Sequence, residues 1–151
     1  MSILLLDEIE EDEFLYYGIK FKTYPEYKLI YKINQALNFS FCREEDLDIR
    51  SNQEIFCYSV YTMNISFEEM KIYLIKNKSH NKKIYIENSL FSHINTSNFL
   101  FQRFKNFNYI LKLDINLTQP HQIPLSLQSA GLAITVQEID LLENEKKRLV
   151  L

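Results

Sequence analysis

Glycine is almost absent from this sequence, with only two residues, Gly18 and Gly131, in a chain of 151. Phosphate-binding loops need several closely spaced glycines, because only glycine lets the backbone approach a phosphate group closely. Two glycines this far apart cannot form a P-loop or a dinucleotide-binding fingerprint. The shortage of glycine therefore excludes both nucleotide-binding motifs.

Cysteine and histidine are also few, with two cysteines and three histidines. Cys42 and Cys57 are not spaced as a Cys-x-x-Cys pair, and no His-x-x-x-His spacing occurs. We expect two packed, reduced thiols rather than a disulfide. His80, His93 and His121 lie in polar surroundings that are typical of surface histidines. The sequence therefore predicts no metal ligands and no cofactor.

Long apolar runs and excess positive charge are missing too. The net charge is -3 and the isoelectric point is near 5.6, so nucleic acid would require a local basic patch. The first apolar run spans only residues 3–6, and the acidic run 7–13 follows it. No segment reaches membrane-spanning length, and the N-terminus lacks the features of a signal peptide. We expect a cytoplasmic protein with a loosely ordered acidic segment at residues 1–13.

The sequence nevertheless contains enough hydrophobic residues to form a core. Hydrophobic residues make up 46% of the chain and aromatic residues 14%, carried by 11 Phe and 10 Tyr. A chain of this length buries about two-thirds of the surface that its unfolded form exposes. We expect one domain over residues 14–151, with a polar insertion at residues 77–100.

Apolar periodicity predicts the order of helices and strands. Thr23 is a candidate N-cap and Glu26 a capping-box residue for a helix that ends near Asn38. A charged connector is expected at residues 43–50, and a shorter helix near residues 125–130. Strands are predicted at 14–21, 54–63, 67–76, 108–113 and 133–139, with a possible strand at 83–86.

This element order predicts an α+β fold. It matches a ferredoxin-like βαββ-(insertion)-βαβ string, in which a mostly antiparallel sheet carries its helices packed on one face. The residues 54–63 and 67–76 are expected to pair as a hairpin.

Residues 101–114 mix aromatic and basic side chains, a composition found at RNA-binding surfaces. The stretch lacks the glycines of the RNA-recognition signature. The favoured interpretation is that Phe104 and Phe107 anchor this segment to the core while its cations face water. The alternative is an RNA-binding module, whose candidate contacts are Arg103, Lys105, Tyr109 and Lys112.

No catalytic constellation is evident. Arg43 could lower the pKa of the Cys42 thiol, but a packed hydrophobic role is simpler for both cysteines. Asp114 and Glu138 are the only carboxylates that stand alone in apolar runs, and each lies near a predicted strand end. We therefore expect a protein that is not an enzyme.

Four segments together resemble the IPExxxDY family, small proteins of the Bacteroidota. They are YKLIYKINQAL at 27–37, YLIKNKS at 73–79, FNYILKL at 107–113 and VQEID at 136–140. The resemblance spans about residues 14–151 and implies a bacterial cytoplasmic protein with this element order. It implies no activity and no catalytic residue.

The naming motif of that family is degenerate in this chain. Phe101, Gln102 and Arg103 stand where Ile-Pro-Glu is expected, and Asn108 and Tyr109 stand where Asp-Tyr is expected. Only the tyrosine is kept.

The sequence favours a non-catalytic protein-interaction or scaffold domain that binds another protein or itself. Tyr and Phe are enriched at interface cores, and the apolar N-terminal run is left without an obvious partner. The candidate partner contacts are Ile3, Leu4, Leu5 and Leu6. An RNA-binding module and a small-ligand regulatory domain are the two alternatives.

Overall fold

The computed structural model describes residues 13–51, 54–65, 70–84 and 98–151. The described part of the chain forms an α+β structure with few helices and two antiparallel sheets. This confirms the predicted α+β class and the mostly antiparallel sheet. The N-terminal segment 1–12 lies outside the described residues, and so do positions 85–97 of the predicted insertion.

The strands and helices are labelled in chain order. The strands are β1 Phe14–Phe21, β2 Cys42–Arg43, β3 Leu47–Ser51, β4 Glu54–Tyr58, β5 Val60–Ile65, β6 Met70–Lys76, β7 His80–Ile84, β8 Tyr109–Asp114 and β9 Ala133–Ile139. The helices are α1 Glu26–Leu37, α2 Gln122–Ser129 and α3 Glu143–Lys146. Short 3-10 helices lie at Gln102–Phe104 and Lys147–Leu149.

The larger sheet has six strands in the order β2-β5-β6-β8-β1-β9, and every neighbouring pair is antiparallel. The smaller sheet has the order β3-β4-β7 and is also antiparallel. The observed bounds of β1 and β9 are the predicted ones, and β5 pairs with β6 as the predicted hairpin. β1, which contains four aromatic residues, lies between β8 and β9 and is therefore an interior strand of the large sheet.

One face of the large sheet packs against the helices. Alternate residues of β1, such as Ile19 and Phe21, lie on this face and are almost fully buried. Leu29 and Ile33 of α1 and Leu127 of α2 belong to the same core cluster. Both helices therefore contribute buried apolar residues to one core.

The opposite face has a second core that contains no long helix. Tyr16 and Ile110 of the large sheet pack there with Tyr58 of β4, Phe101 and Leu149. The smaller sheet, the 101–107 segment and the C-terminal segment cover this face together. Because both faces are covered, Ile110 and Leu111 of β8 are both fully buried.

Two sequence predictions are corrected between residues 43 and 63. The charged connector contains part of β2 and almost all of β3. The predicted strand 54–63 is divided at Ser59 into β4 and β5, which belong to different sheets. At the division the carbonyl of Ser59 accepts the N–H of Lys76 (2.9 Å), a residue of β6, as the chain passes between the sheets.

The predicted start of α1 is also corrected. Pro25 occupies the N-cap position, without a side-chain capping hydrogen bond, and Thr23 lies outside the helix. Glu26 does not complete a capping box, because its carboxylate bonds to Tyr61 and Lys76 of the sheet. The helix ends as expected, with Asn38 in the left-handed conformation (φ 53°).

Cys42 and Cys57 do not form a disulfide. Cys57 is buried as predicted, whereas Cys42 lies on the two-residue edge strand β2 and is exposed. The prediction of a packed thiol is therefore wrong for Cys42, because its strand lies at the edge of the large sheet and both of its residues are exposed.

Candidate functional site

The basic and aromatic stretch is divided between the core and the surface. Phe101 is 1% exposed, and Phe104 and Phe107 pack against the second core as half-buried rings. Tyr109 is 3% exposed and belongs to the core on the helical face. These rings are not displayed together in solvent, so the stretch anchors a segment to the sheet, as the favoured interpretation predicts.

Asn77 fixes that segment from inside. Its side chain is fully buried; Oδ1 accepts the N–H of Phe101 (2.9 Å), and Nδ2 donates to the carbonyls of Phe104 and Phe107 (3.0 Å each). Its own carbonyl accepts the N–H of Leu100 (2.7 Å). A single buried amide therefore satisfies the polar backbone of the turn.

Two cations of the stretch, Arg103 and Lys112, form hydrogen bonds with other parts of the protein. Arg103 donates to the Glu145 carboxylate (2.6 Å) and to the carbonyl of Asp140 (2.9 Å). Lys112 is buried, and its Nζ donates to the carbonyl of Leu149 (3.0 Å) and lies 4.1 Å from the centroid of the Phe14 ring. Burial lowers the pKa of Lys112.

The four candidate RNA contacts therefore do not converge. Tyr109 faces the helices, Lys112 lies under the C-terminal segment on the opposite face of the sheet, and Arg103 is paired. Lys105 alone of the four is an exposed cation without a described bonding partner. A stacking platform needs exposed aromatic faces beside a basic groove, and this arrangement does not supply one.

Of the other residues singled out in the sequence, some lie outside the described residues and others form contacts within the described part of the chain. The candidate partner contacts Ile3, Leu4, Leu5 and Leu6 lie outside the described residues, as does His93. His121 lies at the start of α2, where its Nδ1 contacts the Tyr17 hydroxyl. Asp114 is held locally, since its carboxylate accepts the Asn116 N–H (2.8 Å).

A polar cluster that the sequence did not indicate surrounds His80. The Nδ1 atom of His80 lies 3.3 Å from the Ser59 hydroxyl, and Nε2 lies 2.9 Å from Oδ2 of Asp46. The other oxygen of Asp46 pairs with the guanidinium of Arg43. The imidazole is therefore held on both sides, between the start of β7, the β4–β5 junction and the segment before β3.

Glu26 extends the cluster toward α1. Its carboxylate accepts hydrogen bonds from Tyr61 (2.7 Å) and Lys76 (3.3 Å), and the nearby Ser59 hydroxyl also acts to lower its pKa. Burial acts to raise the pKa of Glu26, but these hydrogen bonds and the charge of Lys76 outweigh it and lower the pKa. Burial and the neighbouring carboxylate raise the pKa of Tyr61. Glu26 is therefore ionised and Tyr61 protonated at neutral pH.

The contact order Ser59–His80–Asp46 superficially matches a hydrolytic triad. A serine nucleophile must reach its substrate, however, and Ser59 is only 2% exposed. The arrangement orients the imidazole rather than activating a nucleophile.

Potential metal ligands lie beside this histidine. Asp46, Asp48 and Cys57 each offer a ligand atom, and these atoms lie within 4.8 Å of one another. No local spacing could have indicated this group, because strand pairing brings it together. Asp48 lies opposite Cys57 in the β3–β4 pair, and Cys57 lies opposite His80 in the β4–β7 pair.

A half-open groove of about 380 Å³ lies next to this cluster. Glu44, Glu45 and Asp46 form an acidic wall, and Lys71 and Val150 are among the residues that line the rest. Its volume suits a small ligand. The polar groups do not converge on one point, and the small-ligand regulatory role stays a prediction.

Comparison with known proteins adds no identification. No protein-family model, curated protein or solved structure matches the chain. Membership of the IPExxxDY family therefore stays a prediction. None of the helices in the described ranges has the length and apolar character needed to cross a bilayer.

Proposed function

We propose that this chain is a non-catalytic protein-interaction domain that self-associates through strand β9. The supporting observation is that β9 is the outer strand of the six-stranded sheet, with β1 on one side and no other described strand on the other. An unpaired strand edge presents N–H and C=O groups that can pair with another chain.

The composition of β9 favours this role. Glu138 is its only charged residue, it contains no proline, and Ile134 is 55% exposed. Protected edges more often carry lysine, proline or inward-facing charges. A bulge near Lys20 and Phe21 leaves Ile134 without a direct partner in β1, while Thr135–Ile139 continues in regular pairing.

A second copy is the simplest partner, because one strand edge can pair with itself about a twofold axis. Antiparallel pairing centred on Val136 places Ile134 opposite Glu138 of the second copy and separates the two Glu138 carboxylates. The register therefore avoids a like-charge pair.

Size-exclusion chromatography with light scattering tests the proposal. We expect the full chain to be a dimer and the Ile134→Glu variant a monomer, because the new carboxylate would face Glu138 of the second copy. Tyr31→Glu is the matched control, since Tyr31 is an exposed residue of α1 (64%). Leu5→Asp in the full chain tests the apolar N-terminal run separately. A wild-type protein that stays monomeric at high concentration would contradict self-association.

We also propose that the large sheet is a ferredoxin-like core enlarged by β2 and β5. Its strands β9-β1-β8-β6 stand in the order expected of β-α-β units formed by β1-α1-β6 and β8-α2-β9, and each neighbour is antiparallel. The shared core of α1 and α2 supports this arrangement. An experimental structure with the two helices on opposite faces would contradict it.

A further inference from the structure

We propose that Asp46, Asp48, Cys57 and His80 form a binding site for a transition-metal dication of the zinc type. The inference is independent of the role of β9. It rests on the register of the smaller sheet, the geometry around His80 and the chemistry of the four side chains.

Three of the ligands form a row across the smaller sheet. Asp48 pairs with Cys57 between β3 and β4, and Cys57 pairs with His80 between β4 and β7. Side chains directly opposite each other on antiparallel strands lie on the same face. A carboxylate, a thiol and an imidazole from adjacent strands are thus neighbours.

The opposite face of that sheet is already occupied. Phe56 and Tyr58 of β4, the residues on either side of Cys57, pack in the second core with Leu47 and Ile49. The alternation of side chains along β4 therefore directs Cys57 away from that core and toward Asp48.

Asp46 closes the group. Its Oδ2 atom lies 2.9 Å from Nε2 of His80, and its carboxylate is within 4.8 Å of the ligand atoms of Asp48 and Cys57. Ligands of a tetrahedral zinc ion, at 2.0–2.3 Å from the metal, stand roughly 3.3–3.8 Å apart. Asp46, Asp48 and Cys57 are grouped at up to 4.8 Å and would have to move closer around an ion, and His80 joins the group through its contact with Asp46.

Each ring nitrogen of His80 has a neighbour that fixes the orientation of the imidazole, as in metal-ligating histidines. The Ser59 hydroxyl lies 3.3 Å from Nδ1, within hydrogen-bond distance of that atom. Nε2 lies 2.9 Å from Oδ2 of Asp46, so a metal ion bound to the lone pair of Nε2 would lie beside this carboxylate. Outer hydrogen-bond partners of this kind fix the ring orientation of metal-ligating histidines.

The ligand chemistry selects the class of metal. A thiolate with an imidazole suits zinc or cobalt, whereas magnesium and calcium prefer oxygen ligands alone. Arg43 pairs with Oδ1 of Asp46 and leaves Oδ2 for the metal. The dication and this guanidinium together balance the charges of the thiolate and the two carboxylates.

Cobalt titration of the metal-stripped full chain tests the site. We expect one equivalent of Co²⁺ to bind with a thiolate-to-cobalt charge-transfer band, and Zn²⁺ to displace it. Cys57→Ser should abolish the band. His80→Gln and Asp48→Asn should each weaken Zn²⁺ binding at least tenfold in competition with a chelator. Cys42→Ser and His121→Gln are the matched controls and should change neither result.

Ser59→Ala tests the orienting hydrogen bond. It should weaken Zn²⁺ binding by about tenfold while the charge-transfer band is kept, because outer-shell changes typically cost 10- to 100-fold in metal affinity. No loss of affinity would overturn the positioning role of Ser59.

The absence of a charge-transfer band, or a band that survives Cys57→Ser, would overturn the site. If Cys57→Ser does not fold by circular dichroism, X-ray absorption of the wild-type zinc complex decides. A sulfur at about 2.3 Å supports the proposal, whereas a shell of oxygen and nitrogen alone overturns it.

Discussion

The ring of Phe107 lies directly over Gly18, where a Cβ atom would stand only 2.4 Å from Cδ2 of the ring. Gly18 is in the middle of β1, and its backbone is that of an ordinary strand. The glycine is needed for space, because it lets an aromatic residue of the 101–107 segment lie flat on the second face of the sheet.

Gly18→Ala should therefore destabilise the protein by about 1–3 kcal/mol, the usual cost of overpacking a core. Urea denaturation of the single variants and the double variant measures this. In the background of Phe107→Ala the same change should cost less, because the clash is gone. Additive effects would show that the contact between the two positions is not the cause.

Asn77→Ala should destabilise the protein by about 3 kcal/mol or more, since it leaves the N–H of Phe101 and two carbonyls without partners in a buried place. Asn64→Ala is the control, because Asn64 is exposed in β5. Its effect on the urea midpoint should be small. An equal effect of both substitutions would contradict the organising role of Asn77.

Glu145 should contribute stability that acid removes. Burial opposes its ionisation, but hydrogen bonds from Arg103 and the Leu142 N–H prevail and lower its pKa. A carboxyl with a lowered folded-state pKa stabilises the fold above its ordinary pKa, and this contribution is lost as the pH falls through the folded-state value. Glu145→Gln should therefore be less stable than wild type at pH 7, and the difference should shrink toward pH 3.

Thermal unfolding across that pH range measures the Glu145 effect. Glu45→Gln, at an exposed carboxylate, is the control and should follow wild type throughout. A constant difference between Glu145→Gln and wild type at every pH would contradict the ionic explanation.

Lys112→Ala should loosen the C-terminal segment, because it removes the hydrogen bond from Nζ to the carbonyl of Leu149. Hydrogen exchange followed by mass spectrometry should show faster exchange over residues 143–149. Lys105→Ala changes an exposed cation of the same stretch and should leave the exchange unaltered. Identical exchange in both variants would show that packing of Leu149 alone holds the segment.

Local sequence patterns predicted the parts of the fold that local forces decide. β1 and β9 have their predicted bounds because β1 is rich in aromatic residues and β9 in β-branched residues, and α1 follows the apolar stripe of Leu29, Ile30 and Ile33. The split at Ser59 was missed because residues 54–63 are uniformly suited to a strand. Which sheet each half joins depends on distant partners.

The histidine cluster was missed for a related reason. Asp46, Ser59 and His80 are separated by long stretches of chain and meet through the pairing of strands in the smaller sheet. Each residue alone resembles an ordinary polar surface group. Periodicity and motif spacing describe residues that are close in sequence, so they cannot predict contacts between these distant residues.

The position of Leu149 in the second core has a consequence for synthesis of the protein. Tyr16 belongs to that core and is made early, but the layer also requires a residue translated more than a hundred positions later. Contacts between such distant residues form slowly. On the ribosome, part of one side of the nascent sheet must therefore stay uncovered until translation has passed Leu149, and in that interval the chain should depend most on chaperones.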